Sequence, residues 1–124
     1  MQNFLENRGR KSNFDFFSWL DQLESCRGKV AELVNGSPEE IAFTLNTSQG
    51  INTVAAMIKW KKGDQIITSD LEFPSISIPW YGLRKKGVEV RQVKNVQGEI
   101  RVEDVENAFT ENTRLVALSY VQFG

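Results

Sequence analysis

The sequence predicts an α/β fold, a partial three-layer α-β-α arrangement around a mostly parallel sheet. Three observations carry this prediction. From residue 41 onward, short apolar runs of strand length alternate with stretches of helical periodicity, in the order β-α-β-α-β-α-β. Strands separated by one helix each need right-handed crossovers, which make neighbouring strands parallel and cover both faces of the sheet. The second of these runs, centred on Ile66 and Ile67, is of the buried type.

The elements follow in order. Residues 1–12 are polar and basic and carry little signal. Asn13 is placed to cap a helix over about 14–34, whose apolar positions include Phe16, Phe17, Leu20, Leu23, Val30 and Val34. Asn35-Gly36 ends it, and Ser37-Pro38-Glu39-Glu40 makes a short helical turn. A strand is expected over 41–45 and a helix over about 49–60, with Ile51, Val54, Ala55 and Ile58 on one face. Lys61-Lys62-Gly63-Asp64 closes that helix, and Lys59, Lys61 and Lys62 read as a cluster at its C-terminus. A strand over 65–68, a loop over 69–74 and a helix from 76 or 78 to 86 come next, with Pro79-Trp80-Tyr81 packing the helix onto the sheet. Gly87 precedes a strand over 88–93, 95–98 is a turn, 103–109 a short helix and 115–120 a last strand. The chain thus divides into an N-terminal helical segment, 1–40, and a βαβαβαβ segment, 41–124.

Composition excludes several functions. The 124 residues are 40% hydrophobic and 25% charged, an ordinary globular mixture. Fifteen basic against 16 acidic residues leave a net charge of −1, with no electrostatic reason to bind nucleic acid or an acidic membrane. No apolar run is long enough to span a bilayer, and the N-terminus shows no secretory h-region. A single cysteine, Cys26, forbids an internal disulfide and fits a cytoplasmic setting. With no histidine, Ser-His-Asp and Cys-His catalysis are excluded within the chain, and a zinc site would be almost all carboxylate, so no metal is expected. Proton transfer would fall to carboxylates, lysines, tyrosines or a bound cofactor.

Three segments fall at the carboxyl ends of predicted strands, the edge where open α/β sheets bind ligands. Asn46-Thr47-Ser48-Gln49-Gly50 opens a helix, where free N–H groups, the helix dipole and the Thr47 and Ser48 hydroxyls suit a phosphate. Plain N-capping by Thr47 or Ser48 explains the same residues. Asp70-Leu71-Glu72-Phe73-Pro74-Ser75 places an aromatic ring where it can stack on a planar cofactor, or serve as a hydrophobic staple. Ser119-Tyr120-Val121-Gln122-Phe123-Gly124 offers Gln122 to a ring substituent or to solvent.

These segments, together with Glu39-Glu40-Ile41-Ala42-Phe43-Thr44, Gly63-Asp64-Gln65-Ile66-Ile67, Gly87-Val88-Glu89-Val90 and Thr113-Arg114-Leu115-Val116-Ala117, resemble the class V aminotransferase and cysteine desulfurase group. The resemblance covers most of residues 15–124 in order. It implies a fragment of the large domain of a pyridoxal-phosphate enzyme with the aspartate aminotransferase-like fold. It implies that Thr47 and Ser48 bind the cofactor phosphate, that Phe73 stacks on the pyridine face, and that Gln122, with Phe123, touches the ring or its 3′-oxygen. Desulfurases typically have His at the position of Phe73, and kynureninase-like members Phe, which argues mildly against a desulfurase.

In the family the aspartate facing the pyridine nitrogen and the Schiff-base lysine come later in the chain than residue 124, and no lysine present has the right setting. No residue here is therefore expected to be catalytic. The chain is expected to be the N-terminal part of an enzyme acting on an amino-acid-type substrate, inactive by itself. The alternative is a non-catalytic remnant of a split or truncated gene. Uncovered apolar sheet faces make a homo-oligomer the expectation in either case. An unrelated nucleotide-binding domain is disfavoured because neither G-x-x-x-x-G-K-[ST] nor G-x-G-x-x-G occurs.

Overall fold

The computed structural model describes residues 16–122. The chain forms two units that divide between Phe43 and Thr44. The first contains helix α1, Phe16–Leu33. It ends where Asn35 takes the left-handed conformation, φ 55°. Gly36 then donates to the Ala31 carbonyl at 2.9 Å and Asn35 to that of Glu32 at 3.2 Å, the paired bonds of a Schellman stop. The expected cap, Asn13, lies outside the described residues. A 3-10 turn, η1, follows at Pro38–Glu40. The Glu40 carboxylate accepts from the Ser37 N–H at 2.8 Å. Arg27 donates to the Ile41 carbonyl and lies 5.4 Å from the centre of the Phe43 ring.

The strand expected over 41–45 is not formed. Ile41 is extended, φ −102° and ψ 121°. Its carbonyl is taken by Arg27, and the Leu45 N–H by the Gln49 side chain at 2.8 Å. Extended backbone becomes sheet only with a ladder partner. Among the described residues the sheet therefore has three strands, not four.

The second unit runs α2 (Thr47–Met57), β1 (Gln65–Ser69), α3 (Pro74–Gly82), the 3-10 turn η2 (Leu83–Lys86), β2 (Glu89–Val93), α4 (Val102–Glu106) and β3 (Thr113–Val116). The strand order is β2-β1-β3, all parallel. Gln65 pairs with Glu89 on one side and Thr113 on the other. The β1–β3 register slips between Gln65 and Ile66, so that Ile66 faces Leu115. The buried Gln65 side chain accepts from the Thr113 hydroxyl at 2.6 Å and the Thr110 hydroxyl at 3.3 Å, which anchors this irregular entry.

All five residues of β1 are buried. Successive side chains point to opposite faces of a sheet, so Ile66 and Ile67 serve different cores. Ile66 packs with Ala55 of α2, Trp80 of α3, Leu83, Val88 and Val90. Ile67 packs with Val93 and Ala108, against Ile100 and Val105. This two-sided burial makes the layered α/β architecture, and Trp80 plays the packing role its segment suggested.

Several boundaries moved for identifiable reasons. Helix α2 stops at Met57 because Ile58 turns extended, and the Trp60 indole reaches back to the Ala55 carbonyl at 2.8 Å. Lys59, Lys61 and Lys62 thus follow the helix rather than forming its last turn. Helix α3 starts at Pro74, earlier than expected, since proline at the first helical position loses no bond. Its continuation winds into η2 and ends at Gly87, φ 79°, where a Cβ would sit 2.8 Å from Lys62 Cγ. Strand β3 is shorter than expected. Ala117 makes the last bond to β1, to the Ile67 carbonyl at 2.9 Å, and the Ser119 N–H is diverted to a carboxylate. No helix among the described residues is long and apolar enough to cross a membrane.

Candidate functional site

The start of α2 is built around Asn46. Its side chain accepts from the Gln49 N–H at 2.9 Å, so Asn46 is the N-cap, not Thr47 or Ser48. Gln49 in turn holds the Leu45 N–H. With both capping tasks assigned to the flanking residues, the N–H groups and hydroxyls of Thr47 and Ser48 have no hydrogen-bond partner among the described residues, and both residues are exposed. Unpaired N–H groups at the positive end of an eleven-residue helix have the chemistry to accept an anion.

Phe73 is the N-cap residue of α3 and is half-exposed at 49%. Ser48 and Phe73 line one open groove of about 280 Å³, together with Asn52, Ser75, Ile78 and Pro79. The helix N-terminus and the aromatic ring, 25 positions apart in sequence, thus face a common space.

Gln122 is placed by its neighbour in that loop. Glu72 follows β1 and accepts from Ser119 N at 2.8 Å, Ser119 Oγ at 2.6 Å, Gln122 Nε2 at 2.9 Å and Ser69 Oγ at 3.2 Å. Burial pushes the Glu72 carboxyl up, but the hydrogen bonds from Ser119, Gln122 and Ser69 outweigh it and hold the group below the usual glutamate range. Asp70 does the same on the other side. It accepts from the Asn95 N–H at 2.9 Å and side chain at 3.2 Å, with Lys94 at 3.4 Å. The two carboxylates tie the exit of β1 to the exits of both neighbouring strands. Glu72 and Asp70 are not singled out by the sequence, which points to Phe73 in this segment. The available signal was two acids at alternate positions directly after a buried strand, each needing partners.

Of the four residues expected to bind a cofactor, the structure brings Ser48 and Phe73 to one groove, with Thr47 beside Ser48 in the first turn of α2. Gln122 does not line that groove: it lines a separate pocket with Ile100, Val105 and Leu118, and is linked to the Phe73 loop only through Glu72. Phe123 lies outside the described residues. The residues fit a phosphorylated planar ligand. Among the described residues, two N–H groups and two hydroxyls without partners lie at the start of α2, Phe73 lines the groove that Ser48 also lines, and Gln122 Oε1 is buried with no hydrogen-bond partner.

Residues 7–122 match the family described as Aminotransferase class-V. A probable cysteine desulfurase of Methanothermobacter thermautotrophicus is 41% identical over 104 residues, which cover 81% of this chain and 25% of that protein. A cysteine desulfurase of Escherichia coli is 35% identical, covering 82% of this chain and 26% of the relative. The apo cysteine desulfurase of Thermococcus onnurineus superposes with a TM-score of 0.71 at 32% identity, covering 77% of this chain and 24% of that one. A C-DES mutant with glycine covalently linked to its PLP cofactor superposes at 0.81 over 98% of this chain and 33% of its own, and at 24% identity shows a shared fold. The chain spans about a quarter of the length of the curated relatives it matches.

Proposed function

The chain belongs to the class V aminotransferase family, and on that premise we propose that residues 44–122 hold part of the cofactor site of a pyridoxal-phosphate-dependent enzyme acting on an amino-acid substrate. The observation that carries this reading is the groove shared by Ser48 and Phe73, which sets an unpaired helix N-terminus beside an aromatic ring. Thr47 and Ser48 hold the phosphate through backbone N–H groups and hydroxyls. Phe73 stacks on the ring. Gln122 contacts a ring substituent. Pyridoxal phosphate, when bound, supplies an electron sink for bonds broken next to an amine.

The residues named here bind and orient. None of them moves a proton, and none is a lysine, so the 124 residues are not expected to turn over an amino acid by themselves. Among the named relatives the Escherichia coli and Thermococcus onnurineus proteins are called cysteine desulfurases and the Methanothermobacter protein a probable one, so cysteine is the first substrate to test in a longer protein carrying this segment. Phe73 cannot transfer a proton at a position where the resemblance implies His in desulfurases, so the substrate class stays at an amino acid.

The test is phosphorus NMR of pyridoxal phosphate titrated with the 124-residue chain. The phosphate signal is expected to shift on binding. Ser48→Glu puts a carboxylate where the phosphate would sit, yet an acid in the first turn favours the helix by about 0.3–1 kcal/mol. The variant should therefore fold at least as well and bind on the order of tenfold more weakly or worse. Equal binding by both chains, or none by the parent, would sink the reading.

One further observation bears on self-association. Tyr120 is fully exposed and Val121 is 80% exposed, next to the half-covered Val116 and Leu118 of the β3 end. Such a contiguous apolar stretch marks an interaction surface. It suits a non-catalytic chain that self-associates, and equally an enzyme whose subunits form a homo-oligomer.

A further inference from the structure

Glu72 does more than close a loop. A carboxylate can only accept hydrogen bonds, so the Gln122 group turned toward it must be the Nε2 amide nitrogen. The same nitrogen donates to the Ser119 carbonyl at 3.1 Å. Both of its hydrogens are thus used within the chain, one on Glu72 at 2.9 Å and one on Ser119. What remains of the side chain is Oε1, which is buried and accepts no hydrogen bond among the described residues. Ser119 is held to the same carboxylate twice, through its N–H and its hydroxyl. Glu72 is itself anchored at the end of β1 by Ser69, a residue only 1% exposed. The chain of contacts therefore runs from the rigid central strand, through one carboxylate, to the amide of Gln122.

We propose that Glu72 is a positioning residue that locks the Gln122 amide in one orientation, so that Gln122 meets a bound ligand only as an acceptor through Oε1. The ligand group it meets must then carry a hydrogen, as a hydroxyl or a protonated nitrogen does. This deepens the cofactor reading above and rests on it for the ligand, but the lock itself exists without one.

Glu72→Gln tests the lock. A glutamine at 72 offers one acceptor oxygen and a donating NH₂ group to a cluster of donors. The Gln122 amide can then no longer keep both hydrogens where they were. The readout is nitrogen-15 NMR of the 124-residue chain without ligand, following the Ser119 amide and the two Gln122 side-chain protons against pH. Asp70, two residues away, titrates in the same acidic range, so the transition is assigned to Glu72 by its loss in Glu72→Gln, which leaves Asp70 in place. In the parent chain all three signals are expected to move together, with one midpoint below the usual glutamate range. In Glu72→Gln that transition is absent and the Gln122 protons move toward free-amide positions. Ser119→Ala, which removes one donor, should raise the shared midpoint while Gln122 still follows it. This variant keeps the test decisive if Glu72→Gln does not fold.

Gln122 signals that ignore the shared transition in the parent, or that are unchanged in Glu72→Gln, would overturn the proposal. So would a midpoint unmoved in Ser119→Ala. Pyridoxal phosphate is then added to both chains, and the lock predicts binding weakened on the order of tenfold in Glu72→Gln. Equal binding counts against the lock. Absence of binding in the parent refutes the cofactor reading and leaves the ligand-free result to decide the lock.

Discussion

Asn46 and Gln49 free the residues between them. Because Asn46 accepts from Gln49 and Gln49 accepts from Leu45, neither Thr47 nor Ser48 is needed to finish the helix start. The same division of labour makes a prediction. Asn46→Ala removes the cap and should lower stability by about 1 kcal/mol, measured by urea denaturation. It should also weaken phosphate binding, because the first turn that aims the N–H groups frays. Glu72 and Asp70 work at the same scale, each using one carboxylate to collect donors from a neighbouring strand. Thr47, Ser48 and Phe73 could be named as candidates from residue type and place in the chain, although the strand expected before Thr47 is not formed. The Glu72 link to Ser119 and Gln122 was not legible in the sequence, because it spans about 50 positions and depends on which strand lies next to β1.

Between elements, β1 is the organiser. Five consecutive buried residues make it the strand against which everything else registers. Trp80, 1% exposed, is the largest fully buried side chain and joins α3 to Ile66, Val88 and Val90. Trp80→Ala should cost about 3–5 kcal/mol, enough to unfold a marginal domain, and calorimetry would show it as a lost or strongly lowered transition. The strand expected over 41–45 fails at this same scale. Its residues have strand character, but the partner that would turn extended chain into sheet is not among the described residues. Helix ends moved by a few residues wherever a side chain reached back into the backbone, as Trp60 does to Ala55. Local pattern cannot foresee such a bond.

For the molecule as a whole, two properties follow from the site and its surroundings. Asp70 and Glu72 are both held below their usual ranges in the folded chain. The unfolded chain binds more protons than the folded one as the pH falls through the ordinary carboxylate values, so stability drops there. Unfolding free energy measured against pH should be flat in the neutral range and should fall below about pH 4. The fall should be shallower in Glu72→Gln. The apolar stretch from Val116 to Val121 gives the second property. Light scattering should report a mass that rises with concentration, and Tyr120→Lys should reduce it. A monomer at all concentrations would count against the oligomer.

Family, layered α/β architecture and the strands at 65–69 and 89–93 were determined by the sequence itself. These depend on local periodicity, on glycine and proline punctuation, and on the order of motifs along the chain. Tertiary structure alone decided which extended segments become sheet, since pairing needs a neighbour that local pattern does not name. It alone decided where each helix stops, which residue caps α2, and how the Gln122 amide is turned. All of these rest on hydrogen bonds between residues whose proximity is made by folding, and a hydrogen-bond donor has no assigned acceptor until the fold supplies one.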